Sequence, residues 1–89
     1  YKLKGDYMNN ISIHFYISKK LKGKGYCKGN YSGILKAVQM VINDNCSIIY
    51  ASEFCSLLFR SRSGYPLNEK IVEKEVSDII SSLKIEGRI

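Results

Sequence analysis

Residues 66–89, PLNEKIVEKEVSDIISSLKIEGRI, hold the most regular apolar pattern in the chain, and the fold is read outward from them. Val72, Val76, Ile79, Ile80 and Leu83 recur at spacings of three and four, which lines them up on one face of an α-helix. Asn68 stands where a side-chain oxygen can cap the first turn, and Glu69 brings a negative charge to the positive end of the helix dipole. Gly87 ends the pattern. A helix is therefore expected from Asn68 to Leu83, running into a short strand that ends at Ile89.

Before this helix, Ser61 to Pro66 reads as a turn, with Arg60 and Arg62 at its start. SEFCSLLFRS, Ser52 to Ser61, reads as a second helix that is capped by Ser52 and buries Phe54, Cys55, Leu57 and Leu58. CSIIY, Cys46 to Tyr50, is a short β-prone run. Ile34, Leu35, Val38, Val41 and Ile42 give a core helix from Ser32 to Asn43, stopped by Asn43, Asp44 and Asn45. Further back, ISIHFYIS alternates Ile11, Ile13, Phe15 and Ile17 with Ser12, His14, Tyr16 and Ser18, the pattern of a strand with one buried face. His14 falls on the polar side and reads as a solvated or hydrogen-bonded histidine. Tyr1 to Asn10 is polar and basic, with Gly5, Asn9 and Asn10 as turn formers, and reads as an arm or an edge strand.

From Ser32 to Ile89 the expected order is helix, short strand, helix, turn, helix, strand. This order resembles the winged-helix (helix-turn-helix) family. The resemblance implies an α+β fold of three helices with short strands, with residues 60–66 as the turn and Asn68 to Leu83 in the place of the recognition helix. The chain departs from that pattern in lacking a second wing strand and in placing a strand and a basic loop before the first helix. The last helix also carries Glu69, Glu73, Glu75 and Asp78 against Lys70 and Lys74. Those acids repel a duplex whose phosphates flank the major groove, so this helix is expected to serve as scaffold.

A chain of 89 residues makes one small domain, which buries only about 60 to 65 per cent of its unfolded surface. Residues 1–31 form a basic strand-and-loop extension, and residues 32–89 the core. The 45% apolar content is that of a globular protein. No apolar run approaches the roughly 20 residues of a membrane helix, so the chain reads as soluble and intracellular, cytoplasmic or nuclear, with no membrane partner.

Charge is unevenly spread. Residues 1–36 hold eight lysines and one acid, a balance of +7, whereas residues 37–59 carry −2 and residues 60–89 carry +1. This asymmetry points to a polyanion. Its centre is KKLKGKGYCKGNYSG, Lys19 to Gly33, where Lys19, Lys20, Lys22, Lys24 and Lys28 alternate with glycines and with Tyr26 and Tyr31. Lysines neutralise phosphates, glycines let the backbone come close, and tyrosine rings stack on unpaired bases. The spacing is neither a P-loop nor a dinucleotide fingerprint. A nucleic-acid interface of Lys19, Lys20, Lys22, Lys24, Tyr26, Lys28 and Tyr31, helped by Arg60 and Arg62, is thus expected, with DNA or RNA as partner. The competing reading is a protein-interaction domain, or a subunit of a larger nucleoprotein or ribosomal assembly, motivated by the acidic last helix.

Catalysis has little to stand on. One histidine and no close carboxylate pair leave no acid, base or nucleophile to assign, since Glu73 and Glu75 point about 200° apart on a helix. Cys27, Cys46 and Cys55 form no paired metal spacing, and three cysteines cannot all pair within one chain, so reduced thiols, no metal and no cofactor are expected. Cys27, set among lysines, is the thiol whose surroundings favour the thiolate.

Overall fold

A computed structural model describes residues 10–89. They form four helices: α1 (Asn10–Leu21), α2 (Lys28–Asn43), α3 (Ile48–Leu58) and α4 (Glu69–Ile85). No strand occurs among the described residues, so the expected α+β fold with short strands is corrected to an all-helical one. The segment expected as an arm, Tyr1 to Asn10, lies outside the described residues but for Asn10.

The stretch expected as a strand, Ile11 to Ser18, forms most of α1. Ile13 and Ile17 fit both a period of two and a period of four, but Lys19 breaks the former while Leu21 continues the latter, and Ile13, Ile17 and Leu21 are all buried. Phe15, which a strand would have buried beside them, is 71% exposed. The second expected strand, Cys46 to Tyr50, is the start of α3. Ser47 caps that helix by accepting a hydrogen bond from the Tyr50 N–H at 3.1 Å, and this cap outweighs the β-preference of Ile48 and Ile49. The third, Ile85 to Ile89, begins as the last residue of α4. Gly87 then takes a φ of 74°, and the Arg88 N–H returns to the Leu83 carbonyl at 2.9 Å, closing the helix in place of forming a wing.

The loop expected from Lys19 to Gly33 shrinks to residues 22–27, because α1 runs to Leu21 and α2 begins at Lys28, four residues before the expected Ser32. Cys27 caps α2, with its N–H and its thiol both directed at Asn30 Oδ1, at 3.3 and 3.1 Å. Gly29 and Gly33 are helical. A Cβ on Gly29 would lie 1.7 Å from the Arg60 carbonyl oxygen, and one on Gly33 would lie 2.6 Å from Leu67 Cδ1. These glycines let the first turns of α2 press against the segment joining α3 to α4.

That segment turns as expected. Ser61 N–H donates to Tyr65 O at 2.7 Å and Gly64 N–H to Ser61 O at 2.9 Å, with Gly64 at a φ of 86°. Asn68 caps α4 as expected, its Oδ1 accepting from the Ile71 N–H at 3.2 Å. Val72, Val76, Ile79, Ile80 and Leu83 are all buried. They meet Ile34, Ala37, Val38 and Met40 of α2 in one core that also takes in Ile13, Ile17 and Leu21 of α1. α2 touches each of the other three helices, and α1 packs mainly on it.

α3 differs from its expectation in the face it buries. Cys55 is buried as expected, but Phe54, Leu57 and Leu58 are exposed, and the residues turned inward are Ala51, Ser52, Cys55 and Ser56. No helix among the described residues is long and apolar enough to cross a membrane.

Candidate nucleic-acid interface

The nine residues expected to form one interface fall into four places. Lys19 and Lys20 occupy the last turn of α1 and Lys22 follows it; these three line an open groove. The other members of the groove include Phe15, Tyr16, Glu86 and Arg88. Lys20 Nζ and Arg88 Cζ each lie 5.4 Å from the centre of the Tyr16 ring, within cation–π range. The Tyr16 hydroxyl donates to Glu86 Oε2 at 2.9 Å, and Arg88 Nε lies 3.1 Å from Glu86 Oε1. Burial, together with the Glu86 carboxylate, raises the Tyr16 pKa above its ordinary value, so the phenol stays neutral. Lys19 and Lys22 are paired with no acid among the described residues. The groove therefore holds four cations against one acid, beside an exposed aromatic ring.

Lys24 and Tyr26 are engaged elsewhere. Glu75 of α4 is 4% exposed, and its carboxylate accepts from Lys24 Nζ at 2.9 and 3.0 Å and from the Tyr26 hydroxyl at 2.5 Å. Burial alone pushes the Glu75 carboxyl up, but the hydrogen bonds from Tyr26 and Lys24 and the Lys24 charge outweigh it, and its pKa lies below the ordinary value. Burial and the facing carboxylate push Tyr26 up to about 12. The lysine and tyrosine that sequence composition assigns to a polyanion are thus spent on an acid of their own chain.

Tyr31 is also internal in its bonding. Its hydroxyl donates to the His14 carbonyl oxygen at 2.8 Å and is hydrogen-bonded to Ser18 Oγ, which fastens α2 to α1. The His14 and Tyr31 rings lie 5.4 Å apart.

Lys28, Arg60 and Arg62 gather around the N-terminus of α2. Lys28 is the first residue of that helix and is exposed, and the Arg60 backbone abuts Gly29. Arg60 Nη1 donates to Leu57 O at 3.1 Å, so its guanidinium is held at the C-terminal end of α3. The Arg62 N–H and charge reach Cys27. The Asn30 N–H foremost, with those of Gly29 and Arg62 and the Arg62 charge, holds the Cys27 thiol below its ordinary pKa against the opposing effect of burial. In the core, burial pushes the Cys55 thiol up to about 11. No group of His, Cys, Asp or Glu that could hold a metal ion occurs among the described residues.

Sequence reasoning missed Phe15, Tyr16, Arg88 and Glu75. Phe15 was legible as an apolar residue of ISIHFYIS that, like Ile11, falls outside the four-residue repeat of Ile13, Ile17 and Leu21. Arg88 joins the groove only because Gly87, the expected helix stop, turns the chain back where a strand is expected. Comparison with protein-family models, with curated proteins and with solved structures returned no significant match.

Proposed function

We propose that this domain is a non-catalytic nucleic-acid-binding module that holds phosphates along the α1 groove and stacks an unpaired base on Phe15. The observation that carries the reading is the exposed Phe15 ring beside Lys19, Lys20, Lys22 and Arg88 on one surface. Cations that track a backbone next to an aromatic platform suit a single strand, whose bases are free to stack. Such contacts give affinity and salt dependence with little base selectivity. The three unpaired cysteines fit an intracellular setting.

Fluorescence anisotropy with single-stranded DNA and RNA, and with duplex, at several salt concentrations tests the proposal. Replacing Lys19, Lys20 and Lys22 together by alanine is expected to lower the slope of log affinity against log salt by roughly 2 on a single strand. Phe15→Ala is expected to cost about 1–3 kcal/mol of binding while leaving that slope in place. Replacing Lys28, Arg60 and Arg62 is the matched control. An affinity that depends on those three and ignores the α1 lysines sinks the groove as the binding surface.

A further inference from the structure

Glu86 is the one acid in the α1 groove, and by charge alone it works against the phosphates that the surrounding cations attract. The groove has two sides. Phe15, Lys19 and Lys22 follow one another at spacings of four and three, which sets them in one stripe along α1 and the residue after it. Tyr16 and Lys20 form the neighbouring stripe, and against it lie Ser82 of α4 and, just past that helix, Glu86 and Arg88. Lys19 and Lys22 are paired with no acid among the described residues. The cations of the second side are occupied: Lys20 Nζ lies over the Tyr16 ring and donates to Ser82 Oγ at 3.4 Å, and Arg88 is engaged by Tyr16 and Glu86. Phosphates are therefore drawn to the Phe15 side.

A carboxylate offers about four acceptor positions, and Glu86 uses two of them. Its Oε2 takes the Tyr16 hydroxyl and its Oε1 faces Arg88 Nε, so one position on each oxygen is left, and the side chain is 41% exposed. The two bonds fix the direction of the carboxylate, as a group that reads a ligand requires. A nucleotide with its phosphate at Lys19 or Lys22 and its ring on Phe15 turns the edge remote from its sugar, the Watson–Crick edge, toward the side where Glu86 stands. The groove measures about 870 Å³, within the roughly 300–1,000 Å³ of ligand clefts, so there is room for a base between the two. Among the four bases only guanine presents two adjacent N–H donors on that edge, N1–H and the 2-amino group, which meet both oxygens of one carboxylate as an arginine fork does. Cytosine and adenine offer one amino group each. Thymine and uracil flank a single N–H with two carbonyl oxygens, which repel the carboxylate.

We infer that Glu86 is the specificity-determining residue of the groove and selects guanine at the position stacked on Phe15. The inference rests on the single-strand reading of this groove and adds to it a base selectivity that phosphate and stacking contacts do not supply.

Fluorescence anisotropy on the full chain tests this, using a short labelled oligothymidylate and the same strand with one central guanine or inosine. The guanine strand is expected to bind roughly tenfold tighter than the all-thymine strand. The inosine strand, which lacks the 2-amino group, is expected to fall between them. Glu86→Gln is expected to bring the guanine strand down to the thymine level, while the thymine strand binds as before or more tightly because an acid has left the groove. A Glu86 that only positioned Tyr16 and Arg88 would instead shift every strand by the same factor and keep their ratio. Three results overturn the inference: guanine and thymine strands bound alike by the wild-type chain, inosine bound as tightly as guanine, and a guanine preference that survives Glu86→Gln. A chain that binds no strand, or binds without dependence on Phe15 and the α1 lysines, breaks the single-strand reading itself, and the inference falls with it.

Discussion

α3 and α4 lie side by side, are capped in the same manner and solve opposite packing problems. α4 turns five large aliphatic residues inward and leaves its charges outside, apart from Glu75. α3 turns alanine, serines and a cysteine inward, which lets its neighbours come close, and leaves its large residues outside. Helical periodicity says that a face exists. Which face is buried depends on the space between helices, and α3 shows that the smaller side can win when close approach to α2 and α4 is what the core requires.

The contrast can be broken most directly by truncating one leucine from each helix. Leu83→Ala in α4 is expected to cost about 2–5 kcal/mol in urea unfolding. Leu57→Ala in α3, where the side chain is exposed, is expected to change stability by about 0.5 kcal/mol or less. Equal losses would mean that α3 buries its large side after all. The converse change enlarges the small face. Ala51→Leu is expected to destabilise by about 1–3 kcal/mol, since Ala51 is fully buried and the added methylenes must displace its neighbours.

Where the helices are alike, the losses should be alike. Ser47→Ala and Asn68→Ala each remove one cap and are expected to lower the urea midpoint by the equivalent of about 1 kcal/mol. A much larger loss at Ser47 would show that the cap, and not the small-residue face, specifies α3. The smallest expected difference is in pH dependence, because Glu75 has no counterpart on α3. Its pKa is lowered in the folded state, so its contribution is present above the ordinary value of 4.5 and is lost as pH falls through the folded value. Glu75→Gln is expected to remove that acid-side loss of stability from a pH series of thermal melts. Tyr26, raised to about 12, works at the other end: its contribution is complete below 10 and is lost as pH rises from 10 through about 12.

The start and the apolar face of α4 were legible in the sequence because its large residues and its cap agree, whereas its run to Ile85 and the burial of Glu75 were not. α1 was not legible, because Ile13 and Ile17 satisfy two periods at once and only Lys19 and the exposed Phe15 separate them. Gly29 and Gly33 read as loop formers in the sequence because composition cannot distinguish a flexible glycine from one that admits a close neighbour. The same limit applies to the candidate site. Counting lysines located the basic region, but Lys24 and Tyr26 belong to Glu75, 51 and 49 residues away in the chain. Only the fold could set them there.

The contact between Gly29 and the Arg60 carbonyl has a consequence for how the domain opens. The first turn of α2 and the segment leaving α3 meet backbone to backbone, with no side chain between them to swing aside. Neither can loosen by a rotamer change, so the two segments separate together or not at all. The Tyr31 amide, which donates to the Cys27 carbonyl at this end of α2, is then expected to exchange with solvent more slowly than at a helix terminus free to fray.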